Sequence, residues 1–262
     1  MPKTAPNSLT LVLPAYNEAG RIGPALDELV AYLRSAPPGL PATTVLVVDD
    51  GSGDDTSNLV RARPEAVDGL INVMTVPHAG KGAAVRAGML AAEGDVVVFA
   101  DADMATPPDQ LPRLLAALAR ADLALGSRIQ PDGTDMRASQ PRYRRMLGGL
   151  FHRLASLWVV GPVEDTQCGF KGFTREAAQD LFARQRVTSI VFDVELIHLA
   201  RRRGYRIAIV PVRWMDQRGS RLRPGVALAI RVAWDLFRIP LLHRKVRRAA
   251  QVHVTGDPAR PG

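Results

Sequence analysis

Val97-Val98-Phe99-Ala100-Asp101-Ala102-Asp103 is an apolar run that stops at two carboxylates separated by one small residue. A continuous hydrophobic stretch of this kind suits a central strand of a sheet covered on both faces. At the carboxyl end of such a strand, Asp101 and Asp103 come to the mouth of the crevice where open α/β sheets bind ligands. Two carboxylates held this close repel each other unless a cation sits between them. A hard divalent ion, Mg²⁺ or Mn²⁺, bridging to a diphosphate meets that need. The same residues also suit a strand followed by an Asp-rich helix cap, because Thr106-Pro107-Pro108 opens the next helix. A D-x-D pattern by itself does not separate the two readings.

Outward from this run, strand and helix patterns alternate. Strands are expected at Leu9–Leu13, Val45–Val48, Ile71–Val76, Val96–Ala100, Leu123–Gly126 and Ile207–Val212. Helices are expected from the stripe Ile22, Leu26, Leu29, Val30 and Leu33, from about Asp55, after Gly80, over Pro108–Ala121, and through Val194 to Arg203. This βαβα rhythm predicts an α/β fold with a mostly parallel sheet and helices on both faces. Residues 129–142 are polar and turn-rich, and read as a mobile loop near the crevice. Leu147, Leu150, Phe151, Leu154 and Trp158 form a helical stripe that core packing explains more readily than lipid contact. Residues 254–262 read as a frayed tail.

With 262 residues, 47% of them hydrophobic, the chain is long enough for one sizeable α/β domain. The lone cysteine, Cys168, excludes an internal disulfide framework and suits a reducing compartment. The five histidines lack zinc-ligand spacing. No signal segment opens the sequence and no apolar stretch reaches the ~20 residues of a membrane span, so a cytoplasmic location is expected. The formal charge of +8 directs attention to anionic partners. Nucleic acid is disfavoured, because no reader motif or aromatic–basic interleaving accompanies the charge.

Three motifs close successive strands. Pro14-Ala15-Tyr16-Asn17-Glu18 follows the first, Asp49-Asp50-Gly51-Ser52 the second, and Asp101-Ala102-Asp103 the fourth. Strand-end carboxylates accept hydrogen bonds from a nucleobase and ribose, and Tyr16 is suited to line a base pocket. Each motif alone reads more readily as a turn or cap; their convergence on one sheet edge favours a nucleotide site. Gly80-Lys81-Gly82-Ala83 lacks the Ser or Thr and the earlier Gly of a P-loop. Lys81 at a helix start can still face a phosphate, or lie as a surface lysine. No G-x-G-x-x-G follows the first strand, which argues against a dinucleotide oxidoreductase.

Together these residues resemble the nucleotide-binding part of the GT-A, Rossmann-like, inverting glycosyltransferases of family 2, over residues 9 to about 128. Asp165-Thr166-Gln167-Cys168-Gly169-Phe170-Lys171, Phe192-Asp193-Val194-Glu195-Leu196 and Arg218-Gly219-Ser220-Arg221 resemble the dolichyl-phosphate β-glucosyltransferase branch. Polyprenyl-phosphate mannosyltransferases match more loosely: they usually carry Gln where Ala105 stands. The resemblance implies transfer of a hexose, glucose from UDP-glucose, to a polyprenyl or dolichyl phosphate. Alternatives within it are GDP-mannose as donor, a soluble or glycolipid hydroxyl as acceptor, or a non-catalytic nucleotide-sugar-binding protein.

The resemblance also implies roles. Pro14, Ala15, Tyr16, Glu18, Asp49, Asp50 and Ala102 would hold base and ribose, and Lys81 the diphosphate. Asp101 and Asp103 would hold Mg²⁺ or Mn²⁺, offsetting charge on the departing nucleoside diphosphate. Arg128, Arg144, Arg145, Lys171 and Arg218 would meet the acceptor phosphate. Asp193 matches the position of a catalytic base in many family 2 enzymes. A phosphate acceptor is already anionic, so Asp193 is expected to orient groups or cap its helix, acting as a base only on a hydroxyl.

One domain is expected over residues 1–248: a donor part at 9–128, an acceptor part at 143–223 and an amphipathic helix at 224–248, with a flexible tail at 249–262. On that helix Val226, Ile230, Ala233, Trp234, Phe237 and Leu241 share one face, and Arg231, Asp235 and Arg238 another. With Arg244 to Arg248 following, it suits an interfacial helix on an anionic membrane surface, the inner face of the cell membrane. A helix packed on the sheet is the alternative.

Overall fold

The computed structural model describes residues 6–136, 155–161, 163, 165–216, 226–246 and 254–255. The strands are β1 (Ser8–Ala15), β2 (Ala42–Asp49), β3 (Ile71–Thr75), β4 (Val96–Ala100), β5 (Leu123–Ser127), β6 (Phe170–Thr174), β7 (Ile207–Pro211) and β8 (Val254–Thr255). The helices are α1 (Ile22–Arg34), α2 (Thr56–Arg61), α3 (Pro64–Val67), α4 (Lys81–Ala91), α5 (Leu111–Leu118), α6 (Arg175–Arg184), α7 (Phe192–Arg203) and α8 (Val226–Leu242). The sheet runs β3-β2-β1-β4-β6-β5-β7-β8. All neighbouring strands are parallel except β6, which lies antiparallel between β4 and β5.

Strand alternation divides the core in two. Leu9, Leu11, Leu13, Val98 and Ala100 face a layer with Ile22 and Leu26 of α1 and Leu111 and Leu114 of α5. Val12, Val97 and Phe99 face the other, with Val85 of α4, Phe182 of α6, Ile197 of α7 and Ile239 of α8. Every residue of β4 is buried, as its unbroken apolar run requires. The expected α/β sheet with helices on both faces is thus present.

Two readings are corrected. Trp158, assigned to a core stripe, is 57% exposed and stacks on Phe237, with ring centroids 6.0 Å apart; the other members of that stripe lie outside the described residues. Val254–Thr255, assigned to a frayed tail, pair in parallel with Ile207–Ala208. The loop after β5, expected to be mobile, carries an Ile129–Asp135 bridge and a Gln130 N–H donated to Thr134 O at 2.8 Å; its residues 137–142 lie outside the described residues.

The two readings of the C-terminal helix turn out to be compatible. Leu236, Ile239 and the following His243 are buried, and His243 Nε2 lies 2.6 Å from Glu195 Oε1 of α7. Ile230, Trp234, Phe237 and Leu241 project outward, 65, 60, 49 and 53% exposed. The expected polar face is not solvated throughout: Asp235 is buried, accepting from Ser189 Oγ and paired with Arg238 at 2.8 Å. The side chain of Val226 is outside the described residues. No helix among the described residues is long and apolar enough to cross a membrane.

Candidate active site at the carboxyl edge of the sheet

β2, β1 and β4 are adjacent and parallel, so their carboxyl ends bring the three strand-end motifs together. The first two loops are stitched to each other. Asn17, at φ 54°, donates its N–H to Ser52 Oγ at 2.8 Å and accepts from Gly53 N–H at 2.8 Å. Glu18 N–H donates to Thr56 Oγ1 at 2.7 Å. Asp49 Oδ1 accepts from Ser52 N–H at 3.0 Å. Buried Asp50 holds the loop before α4, accepting from Ala79 and Gly80 N–H at 2.9 and 3.0 Å. Gly51 adopts φ +67°, and a Cβ there would meet His78 N at 2.9 Å. Tyr16, 40% exposed, stacks on His78 with centroids 4.2 Å apart, offering an aromatic edge beside these carboxylates. Glu18 is engaged by Arg21, whose Nε and Nη2 reach its two oxygens at 2.8 and 2.7 Å.

The third motif is a tight turn after β4. Met104 takes φ 49°, strained for a side chain of its size, and its N–H donates to Asp101 O at 3.1 Å. Asp103 Oδ1 accepts from Ala105 N–H at 3.1 Å. Burial, and then the neighbouring Asp101 charge, push the Asp103 carboxyl above the usual carboxylate range. A cation between the two carboxylates would relieve that repulsion. Asp101 Oδ1 is paired with Lys81 Nζ, at the first turn of α4. Its carboxylate lies against Gly169, where a Cβ would stand 2.0 Å from Oδ2. Among the described residues no group of three or more His, Cys, Asp or Glu could cage a metal. Two carboxylates fit a hard dication that completes its shell with phosphate oxygens and water.

The Asp165–Lys171 string joins this turn to the core. Asp165 is buried and accepts from Arg128 Nε at 2.8 Å, Nη2 at 2.7 Å and backbone N–H at 2.9 Å. The guanidinium lies 5.5 Å from the Trp214 ring centroid, and the carboxylate holds it firmly charged despite burial. Cys168 is buried, its thiol pushed up to about 11 by burial, and so unreactive. Lys171 on β6 pairs beside Phe99 of β4 and is fully buried. Its ammonium donates to Cys168 O at 2.5 Å and Asp193 Oδ1 at 2.6 Å, 5.4 Å from the Phe99 ring centroid.

Residues 10–182 match the model of glycosyl transferase family 2. The chain belongs to that family. It is 38% identical to a dolichyl-phosphate beta-glucosyltransferase of Trichomonas vaginalis, covering 90% of this chain and 71% of that one. It is 36% identical to the dolichyl-phosphate beta-glucosyltransferase of Homo sapiens, covering 82% of this chain and 70% of that one. Among solved structures, glucosyl-3-phosphoglycerate synthase from Mycobacterium tuberculosis in complex with UDP superposes with a TM-score of 0.60 at 21% identity, over 95% of this chain and 89% of that one. A Pyrobaculum calidifontis mannosyltransferase with GDP-Man and Mn²⁺ gives 0.59 at 22%, over 95% and 68%. Both share the GT-A fold.

In this family 2 glycosyltransferase, Pro14, Ala15, Tyr16, Glu18, Asp49, Asp50, Lys81, Asp101, Ala102 and Asp103 gather at one edge, as the sequence predicts. Lys171 does not reach solvent, so the expected acceptor-phosphate contact is replaced by a buried ion pair. Arg128 commits two donors to Asp165, which makes it first a structural fork. Asp193 does not cap α7: no side chain caps that helix, and its carboxylate serves Lys171 instead. Arg144, Arg145 and Arg218 lie outside the described residues. Sequence reasoning missed Arg21, His78, Asp165 and Gly169 as parts of the site. Only Asp165 and Gly169 carried a signal, through their place in the motif string; His78 and Arg21 are recruited by loop geometry alone.

Proposed function

We propose that the protein transfers glucose from UDP-glucose, with inversion, to a polyprenyl phosphate such as dolichyl phosphate. The observation that carries the acceptor class is the burial of Asp193 against Lys171. A base for a hydroxyl acceptor must reach the proton it removes. A paired, buried carboxylate is ill suited to that, whereas a phosphate needs no proton removed. The dolichyl-phosphate beta-glucosyltransferases to which the chain is similar support both donor sugar and acceptor.

In this reading residues 9–128 bind the donor and 143–223 face the acceptor. Tyr16, with Pro14, Ala15, Asp49, Asp50 and Ala102 around it, receives base and ribose. Glu18, braced by Arg21, lines the same loop. Asp101 and Asp103 would hold Mg²⁺ or Mn²⁺, which when bound supplies Lewis-acid stabilisation of the leaving diphosphate. Lys81 adds a cation at the amino end of α4, where the helix dipole also favours phosphate. An acceptor phosphate oxygen attacks the anomeric carbon opposite the diphosphate. The glycosidic C–O bond breaks, and its electron pair leaves with the nucleoside diphosphate. Arg144, Arg145 and Arg218 are assigned to the acceptor phosphate, and Arg128 braces the site wall through Asp165.

The protein is assigned to the inner face of the cell membrane as a peripheral enzyme. Support comes from the outward aromatic and aliphatic face of α8 and from exposed Arg231, Arg244 and Lys245 near it. The test is incubation with UDP-glucose or GDP-mannose, Mg²⁺ or Mn²⁺, and a short polyprenyl phosphate. Glucosyl lipid from UDP-glucose is expected. Product only from GDP-mannose, or only on hydroxyl acceptors, would overturn the assignment.

A further inference from the structure

A line of charges runs from the core to the edge of the site, alternating in sign through Lys171, Asp193, Lys81 and Asp101 and ending on a second carboxylate, Asp103. Lys171 and Asp193 are in contact, as are Lys81 and Asp101. Asp193 and Asp103 act on Lys81 through space, and Arg21 acts on Asp103. The Lys81 ammonium thus occupies an oxygen of one of the two carboxylates available to a dication. Gly169 lies against one side of the Asp101 carboxylate, closing that direction to it.

We infer that Lys81 is an internal counter-ion that keeps the metal site closed until a diphosphate arrives; this rests on the assignment of Asp101 and Asp103 to a dication. A metal ion entering alone must displace the ammonium from Asp101 and then tolerate it nearby as a like charge. A donor diphosphate removes both obstacles, since its oxygens accept the displaced ammonium and share the metal. Lys81 is thus a positioning residue that makes metal binding conditional on the nucleotide. Isolated metal ions are kept off the turn, and the diphosphate is held at two points.

The test is Mn²⁺ binding to the full-length protein, followed by the electron paramagnetic resonance signal of free Mn²⁺, with and without UDP. Wild type should bind Mn²⁺ weakly alone and tightly with UDP. Lys81→Met should bind Mn²⁺ alone about tenfold more tightly than wild type, and should lose much of the gain that UDP gives. Lys81→Arg, which keeps the cation, should behave as wild type without nucleotide. Equal or weaker nucleotide-free binding by Lys81→Met, with Asp101→Asn still abolishing binding in UDP, would overturn the counter-ion role alone. If Asp101→Asn binds Mn²⁺ with UDP as wild type does, the metal assignment falls and the inference with it.

Discussion

Lys171 Nζ lies 2.6 Å from Asp193 Oδ1, with the lysine wholly buried between β6, β4 and α7. Removing one partner of such a pair costs about 3–5 kcal/mol, because the survivor is left charged and dry. Asp193→Asn strands a buried ammonium and should lose about 3 kcal/mol of stability in urea unfolding. Lys171→Met should cost less, since burial already raises the Asp193 carboxyl and it can take up a proton. The double change Lys171→Met with Asp193→Leu should recover most of the loss. Per folded molecule, Asp193→Asn should keep appreciable glucosyl transfer to a polyprenyl phosphate. Total loss of transfer in a folded variant would restore the base assignment.

Asp103 is destabilised by its own charge. Its folded carboxyl titrates above the ordinary value, through burial and then Asp101, so the folded state favours the protonated form more than the unfolded chain does. The sign follows from linkage: this contribution is stabilising below the unfolded pKa and is lost as pH rises through the folded one. At neutral pH, Asp103→Asn should therefore raise the melting temperature of the metal-free protein while abolishing metal-dependent turnover. Mn²⁺ binding in UDP should weaken as pH falls into the window just above the usual carboxylate pKa of about 3.9. A lower melting temperature for Asp103→Asn at pH 7 would contradict this account.

Gly169 supports the same turn from the opposing strand entry. A methyl group at this position would stand 2.0 Å from Asp101 Oδ2, so the carboxylate or β6 must move. A displacement of about 1 Å in a positioned group can cost 10²-fold in rate. Gly169→Ala should lower kcat/KM for UDP-glucose by about that factor and weaken Mn²⁺ binding in UDP. The fold should survive, as judged by a cooperative melt. Wild-type kinetics would show that Asp101 is not held by this contact.

The donor half was legible because its signals are local: an unbroken apolar run means a strand covered on both faces, and carboxylates at its end mean a crevice. β6 was not legible as an antiparallel insertion, because Phe170-Lys171-Gly172-Phe173-Thr174 carries a lysine in a strand buried at all but its last residue. A lysine there reads as a surface or phosphate-binding residue until Asp193, 22 positions away, is known to meet it. The pairing of Arg128 was illegible for the same reason, its partner Asp165 being 37 positions distant. Charge pairing across the sheet is a tertiary fact that periodicity does not encode. The C-terminal helix was legible in its pattern but not in its allegiance: Asp235, read as part of a polar face, is turned inward onto Ser189 while Arg231 stays exposed.

The outward face of α8 yields the last prediction. Ile230 and Trp234 are 65 and 60% exposed, and Arg231, Arg244 and Lys245 are exposed nearby. Glutamate is a good helix former, so Ile230→Glu with Trp234→Glu should leave stability within about 0.5 kcal/mol of wild type. Vesicles of anionic phospholipid should bind this double variant at least about tenfold more weakly, because apolar contact is removed and repulsion added. Wild-type binding should itself weaken with salt, since charges separated by more than a Debye length of about 8 Å are screened at 0.15 M. Transfer to a short, water-soluble polyprenyl phosphate should be unchanged, while transfer to acceptor embedded in vesicles should fall with binding. Undiminished flotation of the double variant with vesicles would remove this face from the membrane interface and leave α8 a packing element alone.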